Sequence, residues 1–155
     1  MDATLPQKVC SLIDKLRQDY PEISFEESIT TAWSPSEKTV FYQGESSVNT
    51  ILHELGHGLL MHTEYNRDIE LLKLEFLAWQ KAKEISVKYA IKITDTEIEN
   101  HLDTYRDWLH ARSTCPSCQT TGLQDTENSY KCLTCHHKWR VNQARTCALR
   151  RYSIK

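Results

Sequence analysis

The stretch Asn49-Thr-Ile-Leu-His-Glu-Leu-Gly-His-Gly-Leu-Leu-Met-His62 decides how the rest of this chain is read. Val48, Ile51, Leu52, Leu55, Leu59 and Leu60 recur at helical spacing, and Gly44 followed by Ser46 or Ser47 supplies a start signal. The pattern predicts an amphipathic helix over 47–62. Residues four apart lie on one helical face, so His53 and His57 can converge on one metal ion. Glu54 is turned by about 100° and can reach a water on that ion without being a ligand. Two neutral imidazoles and a third ligand would hold zinc, leaving a position for water whose pKa drops to about 7. Glu54 would then take the proton as general base and hand it to a leaving amine. Gly56 and Gly58 each cost a helix about 1 kcal/mol relative to alanine, so close packing on that face is expected.

Outward from this helix, "TLPQKVCSLIDKLRQDY" reads as a first helix. Thr4 and Gln7 stand at capping-box spacing, Val9, Leu12, Ile13 and Leu16 form the apolar stripe, and Pro21 is the stop. "ISFEESITTAWS" and "KTVFYQ" are rich in β-branched and aromatic residues and flank the turn Ser34-Pro35-Ser36, which predicts two or three antiparallel strands. Asn66 can cap a third helix running to about Tyr89, and Thr94 with Glu97 opens a fourth carrying Ile98, Leu102, Tyr105 and Leu109. The expected class is α+β, a small antiparallel sheet packed on helices.

The third ligand can be argued from the helix after Asn66. At 100° per residue, Leu71, Leu72, Ala78, Trp79 and Ala82 fall within about 60° of Glu75, which places Glu75 inside the apolar stripe. A buried carboxylate needs a partner, and a zinc ion is one. Asp68 shares the stripe two turns earlier, as an alternative ligand or as a partner for a histidine. His62 lies about 180° from His53 on the wheel and is excluded while the helix stays unbroken.

Cys115-Pro-Ser-Cys118 and Cys132-Leu-Thr-Cys135 are two knuckles that together complete a closed, structural zinc tetrahedron. His136 or His137 is the substitute ligand for one thiolate. "SYKC" and "HKWRV" read as the strands of a zinc ribbon, a module too small to keep a core without metal. Two ions are therefore expected, one catalytic and one structural. Of the remaining cysteines, Cys10 is expected in the core and Cys147 as a free thiol.

These residues carry two resemblances. His53 to His57, followed 18 residues later by Glu75 with Ala78 beyond it, resembles the glutamate-zincin metallopeptidases. With Leu59-Leu60 and His62 the layout is similar to the ImmA/IrrE-type minimal members. That resemblance spans about residues 20–90 and implies zinc ligands His53, His57 and Glu75, with Glu54 as base. It also implies a peptide lying extended along an edge strand, here "KTVFYQ". The pairing of an HEXXH domain with a C-terminal ribbon resembles the SprT-type proteases, which act on DNA-bound proteins. Helical periodicity ends at Ser113-Thr114, where the cysteine module begins, so the expected division is a zincin-like domain over 1–112, a zinc ribbon over 113–142 and a basic tail over 143–155. An oxyanion donor is expected among His62, Tyr65, Tyr89 and His110.

Composition bounds the rest. The chain has 155 residues, 39% hydrophobic and 26% charged, in the range of a globular protein. No apolar run is long enough for a bilayer, and the N-terminus lacks a signal-peptide pattern, so no membrane partner and a cytoplasmic location are expected. Net charge is −2, yet residues 131–155 contain no acid and carry Lys131, Lys138, Arg140, Arg145, Arg150, Arg151 and Lys155. With Trp139 among them, this composition suits nucleic acid as well as a solvated terminus. The functional expectation is a zinc metallopeptidase acting on a regulatory or DNA-bound protein, with the ribbon recruiting protein substrate or nucleic acid. Its rival is a non-catalytic zinc-binding regulator that uses the same scaffold to bind DNA or a protein.

Overall fold

The computed structural model describes residues 4–145 and 147–154. Helix α1, Leu5–Asp19, opens where the Thr4 amide donates to the Gln7 side chain, and it buries Val9, Leu12, Ile13 and Leu16. Three short strands follow, β1 Ser24–Glu27, β2 Ala32–Ser34 and β3 Thr39–Tyr42, in the order β1-β3-β2. β2 and β3 pair antiparallel, but β1 and β3 run parallel, with Phe25 opposite Val40. The expectation of a wholly antiparallel sheet is therefore corrected. The chain reverses once before β2 and again before β3, so β3 regains the direction of β1 and then lies beside it. A second correction follows. The strand "TVFY" is central and largely buried, so it is no edge for a peptide, and the edges are β1 and β2.

Helix α2, Val48–Leu59, starts at Ser47, whose hydroxyl accepts the Asn49 amide, and buries Ile51, Leu52 and Leu55. It ends earlier than the apolar pattern suggests. Met61 takes a left-handed conformation (φ 52°), its amide donates to Gly58 and the His62 amide to His57. This is a Schellman closure with methionine in the position glycine usually fills. Helix α3 spans Asp68–Ser86 and passes into a 3-10 turn, Val87–Tyr89. Helix α4 spans Asp95–Ser113, opened by the Glu97 amide on the Thr94 hydroxyl. Strands β4 Leu123–Thr126, β5 Ser129–Lys131, β6 Lys138–Val141 and β7 Arg151–Ile154 form an antiparallel sheet in that order. Part of the stretch read as a basic tail is thus its fourth strand.

The chain resolves into two compact units. One takes residues up to Glu64 together with Leu74–Ile98, and the other takes Tyr65–Lys73 with the residues from Glu99 on. In the first, Val9, Leu16, Val40, Ile51, Leu55 and Ala78 are fully buried. The two glycines of α2 have separate reasons. A Cβ on Gly56 would stand 2.5 Å from the Ala78 carbonyl oxygen, so α2 and α3 meet backbone to backbone there. A Cβ on Gly58 would stand 2.9 Å from the Trp33 ring.

In the second unit Cys115, Tyr130, Cys132, Trp139 and Val141 make a small core. Trp139 stacks on Tyr130 at 5.6 Å and donates its indole N–H to the Arg112 carbonyl at 3.0 Å. It is fully buried, which corrects its reading as a surface for stacking bases. Arg112, 1% exposed, grips Asp68 through Nε at 2.6 Å and Nη2 at 3.2 Å. The Tyr130 hydroxyl donates to the same carboxylate, and the Asp68 amide donates to Gln124. Asp68 is therefore neither a metal-group residue nor a histidine partner. A buried guanidinium demanded a charge, and Asp68 supplies it. Cys10 is exposed rather than in the core. Among the described residues no helix is long and apolar enough to cross a membrane.

Candidate metal centre

One turn of α2 separates His53 from His57, and their Nε2 atoms stand 3.1 Å apart. Across Gly56, α3 delivers Glu75, with Oε2 3.0 Å from His53 Nε2 and Oε1 3.4 Å from His57 Nε2. His53 is 6% and Glu75 7% exposed. The three side chains form one group positioned to hold a metal ion. Their spacing tests the idea quantitatively. A tetrahedral ion with bonds of about 2.0–2.1 Å separates its ligand atoms by about 3.3–3.4 Å, close to the distances found. Burial points the same way. Glu75 Oε2 is buried, and its nearest polar neighbour is His53 Nε2 at 3.0 Å. A buried carboxylate oxygen this close to an imidazole nitrogen is a costly arrangement in isolation, and a shared cation would relieve it. Burial opposes ionisation of Glu75, but His53 and then His57 outweigh it and hold the carboxyl well below its usual range.

Glu54 is outside the ligand group and close beside it. Its Oε2 accepts the backbone N–H of Trp33 at 2.8 Å, so edge strand β2 fixes the carboxylate. Burial raises its pKa most, the adjacent imidazoles and the Trp33 amide offset part of this, and the Glu75 charge adds to it. The net upward direction suits a group that must both accept and release a proton.

His62 is the residue that wheel geometry misplaced. Its Nδ1 lies 2.9 Å from Nδ1 of His57. The Schellman closure brings the residue at its end back over the residue one turn inside the helix, a place usually taken by an apolar contact. Here two imidazoles meet. His57 is thereby held through one nitrogen while the other points into the metal group, the arrangement common to metal-ligating histidines. Desolvation, then the His57 ring, lowers the His62 pKa, which favours the neutral form needed to accept a proton from His57. No glycine or asparagine marks the turn in the sequence, so the signal was absent. The His53 Nδ1 has no such partner, and its ring is held instead by stacking on Trp79 at 4.3 Å. Of the oxyanion candidates, Tyr89 gives its hydroxyl to Asp19 and His62 is engaged with His57. Tyr65 and His110 belong to the other compact unit.

In that unit Cys115, Cys118, Cys132 and Cys135 form a second group positioned to bind a metal ion. The Sγ atoms of Cys115 and Cys135 are 3.6 Å apart and those of Cys118 and Cys132 3.5 Å apart. A thiolate tetrahedron with bonds of about 2.3 Å would set about 3.8 Å. The Thr120 hydroxyl, then the Cys135 amide, pull the Cys132 thiol down toward its thiolate. His137 bonds Ser153, and neither it nor His136 enters the group. The chain matches no protein-family model, no curated protein and no solved structure.

Proposed function

We propose that the protein is a zinc-dependent metallopeptidase that cuts a peptide bond in a regulatory or DNA-bound protein, with the four-cysteine unit as its zinc ribbon. The observation that carries this reading is the division of labour around α2. Two histidines and a buried glutamate converge, while a second carboxylate, Glu54, anchored by the Trp33 amide, stands beside them and outside their set. A scaffold that only bound metal would need no such base. Two imidazoles with one carboxylate are a usual donor set for catalytic zinc, and four thiolates for structural zinc. Zinc held by His53, His57 and Glu75 would supply Lewis acidity and a water acidic enough to attack near neutral pH.

The chain's own residues do the rest. The Trp33 amide fixes the direction of the Glu54 carboxylate, which takes a proton from the attacking water and gives it to the departing nitrogen. His62 accepts the Nδ1 proton of His57 and so keeps the Nε2 lone pair available. Burial of Glu75 and His53 excludes competing solvent. Recruitment of nucleic acid through Lys138, Arg140, Arg145, Arg150 and Arg151 stays part of the proposal, carried by charge alone now that Trp139 is in the core.

The test is zinc counting alongside cleavage. The chain should bind two ions, His53→Ala one, and Glu54→Gln two with cleavage of a candidate partner protein lost. If wild type and Glu54→Gln behave alike in every assay, with neither cleaving the partner, the enzymatic reading fails and the non-catalytic regulator is the better account.

A further inference from the structure

Strand β7 is an edge of the sheet in the four-cysteine unit, and the described residues place no strand on its other side. Register fixes which way its groups point. Trp139 and Val141 of β6 are buried, while Lys138 and Arg140 are exposed. Side chains opposite one another share a face, so Ile154 beside Lys138 and Tyr152 beside Arg140 lie on the open face. Arg151 and Ser153 turn the other way, where Arg151 donates to the Ala111 carbonyl and the Ser153 hydroxyl bonds His137. The backbone alternates too. The Asn142 amide donates to the Arg150 carbonyl, which makes theirs the hydrogen-bonded kind of pair. Two residues on, Tyr152 with Arg140 repeats it, and Ile154 with Lys138 follows. The N–H and C=O groups of Arg151 and Ser153 therefore point off the edge of the sheet.

Edge strands are usually blunted by proline, by a bulge or by a charge projecting along the edge. β7 has no proline, pairs with β6 without a register shift, and spends its one charged side chain on the Ala111 carbonyl. Tyr152, 53% exposed, and Ile154, 39% exposed, border the free edge. Beside them stand the exposed cations Lys138 and Arg140, with Arg150 just before the strand, and residues 131–155 hold no acid. Charge and backbone together select the occupant. A second copy paired through β7 would set these cations against their own equals, which is unfavourable. A nucleic acid would meet the cations but has no peptide groups with which to continue the ladder.

We propose that the edge of β7 captures an extended, acidic segment of a partner protein as a fifth strand. The backbone of that segment completes the ladder at Arg151 and Ser153. On the open face its glutamate stems cover Tyr152 and Ile154, and their carboxylates pair with Arg150, Arg140 and Lys138. Main-chain bonds supply affinity and the cations select for acid. The inference stands apart from the metallopeptidase reading; under that reading the partner is the protein to be cut.

The test uses the full, zinc-loaded chain and a fluorescein-labelled heptapeptide that alternates glutamate and threonine, with affinity read by anisotropy. A heptapeptide with lysine in place of glutamate should bind at least about tenfold more weakly. Two further peptides carry N-methyl groups, one on every glutamate and the other on every threonine. Strand pairing uses the N–H groups of one alternate set only, so one of the two should weaken by about tenfold and the other should stay within about threefold of the parent. Ser153→Pro removes an outward N–H while sparing the bonds to β6, and should weaken the glutamate peptide about tenfold with zinc content unchanged. No binding of the glutamate peptide, equal binding of the lysine peptide, or an equal effect of the two methylations overturns the inference. So does a single-stranded oligonucleotide of equal charge that binds more tightly than the peptide and ignores Ser153→Pro, which would assign these cations to nucleic acid.

Discussion

Gly56→Ala is the substitution whose effect can be worked out most fully from the geometry. The added methyl would lie 2.5 Å from the Ala78 carbonyl oxygen and 3.3 Å from its carbon, both backbone atoms that cannot rotate away. Relief to a normal separation of about 3.5 Å requires α2 and α3 to part by about 1 Å. Glu75 rides on α3 and both histidines on α2, so the carboxylate distances of 3.0 and 3.4 Å would grow toward about 4 Å. A tetrahedral ion tolerates errors of only a few tenths of an ångström, so one of three ligands is effectively lost. Overpacking itself costs about 1–3 kcal/mol, which in a chain of this length lowers the melting temperature by about 2–4 °C per kcal/mol. The assay is zinc competition against a chromogenic chelator, with melting followed on the same samples. One site should weaken by at least about tenfold while the four-cysteine site keeps its affinity as an internal reference. Two sites of wild-type affinity and an unshifted melting curve would refute the argument that Gly56 sets the spacing of the metal group.

The other expectations are simpler. His62→Ala removes the acceptor behind His57 and should weaken zinc at the histidine site by about 10- to 100-fold, read by chelator competition, without unfolding the chain. Asp68→Ala leaves Arg112 buried and unpaired, and denaturant unfolding should show a loss of about 3–5 kcal/mol. Stripping metal from the four-cysteine unit should unfold it and expose Trp139, shifting its emission to the red, with Trp139→Phe as the control. Acid should do the same. The hydrogen bonds from Thr120 and the Cys135 amide stabilise the Cys132 thiolate and lower its pKa to about 5, so its contribution is complete only above the ordinary thiol range, declines through neutral pH and is gone below about 5.

The parts legible in the sequence were those with a fixed period or spacing. The stripe Val9, Leu12, Ile13 and Leu16, the capping signals at Thr4 and Thr94, and the position of Glu75 inside an apolar face all follow from 3.6 residues per turn. Strand direction did not follow, because β1 and β3 carry the same kind of residues whether their partners run parallel or antiparallel. The place of His62 was hidden for a related reason. The helix stops at a methionine that pattern alone would continue through, and only the backbone reversal brings the two imidazoles together. The role of Asp68 was decided by Arg112, 44 residues away, and no local pattern reports so distant a partner. Trp139 shows the opposite hazard, since flanking cations suggested a surface while the residue forms the centre of a small core.

The bond from the Trp33 amide to Glu54 separates two jobs at one position. The hydrogen that steadies the carboxylate comes from the main chain, so nineteen of the twenty amino acids can provide it and only proline cannot. The indole has a different task, since its N–H donates to the His62 carbonyl and its ring packs against Gly58. A substitution at position 33 would thus keep the hold on Glu54 while loosening the turn that carries His62, so the two contributions can be separated by experiment.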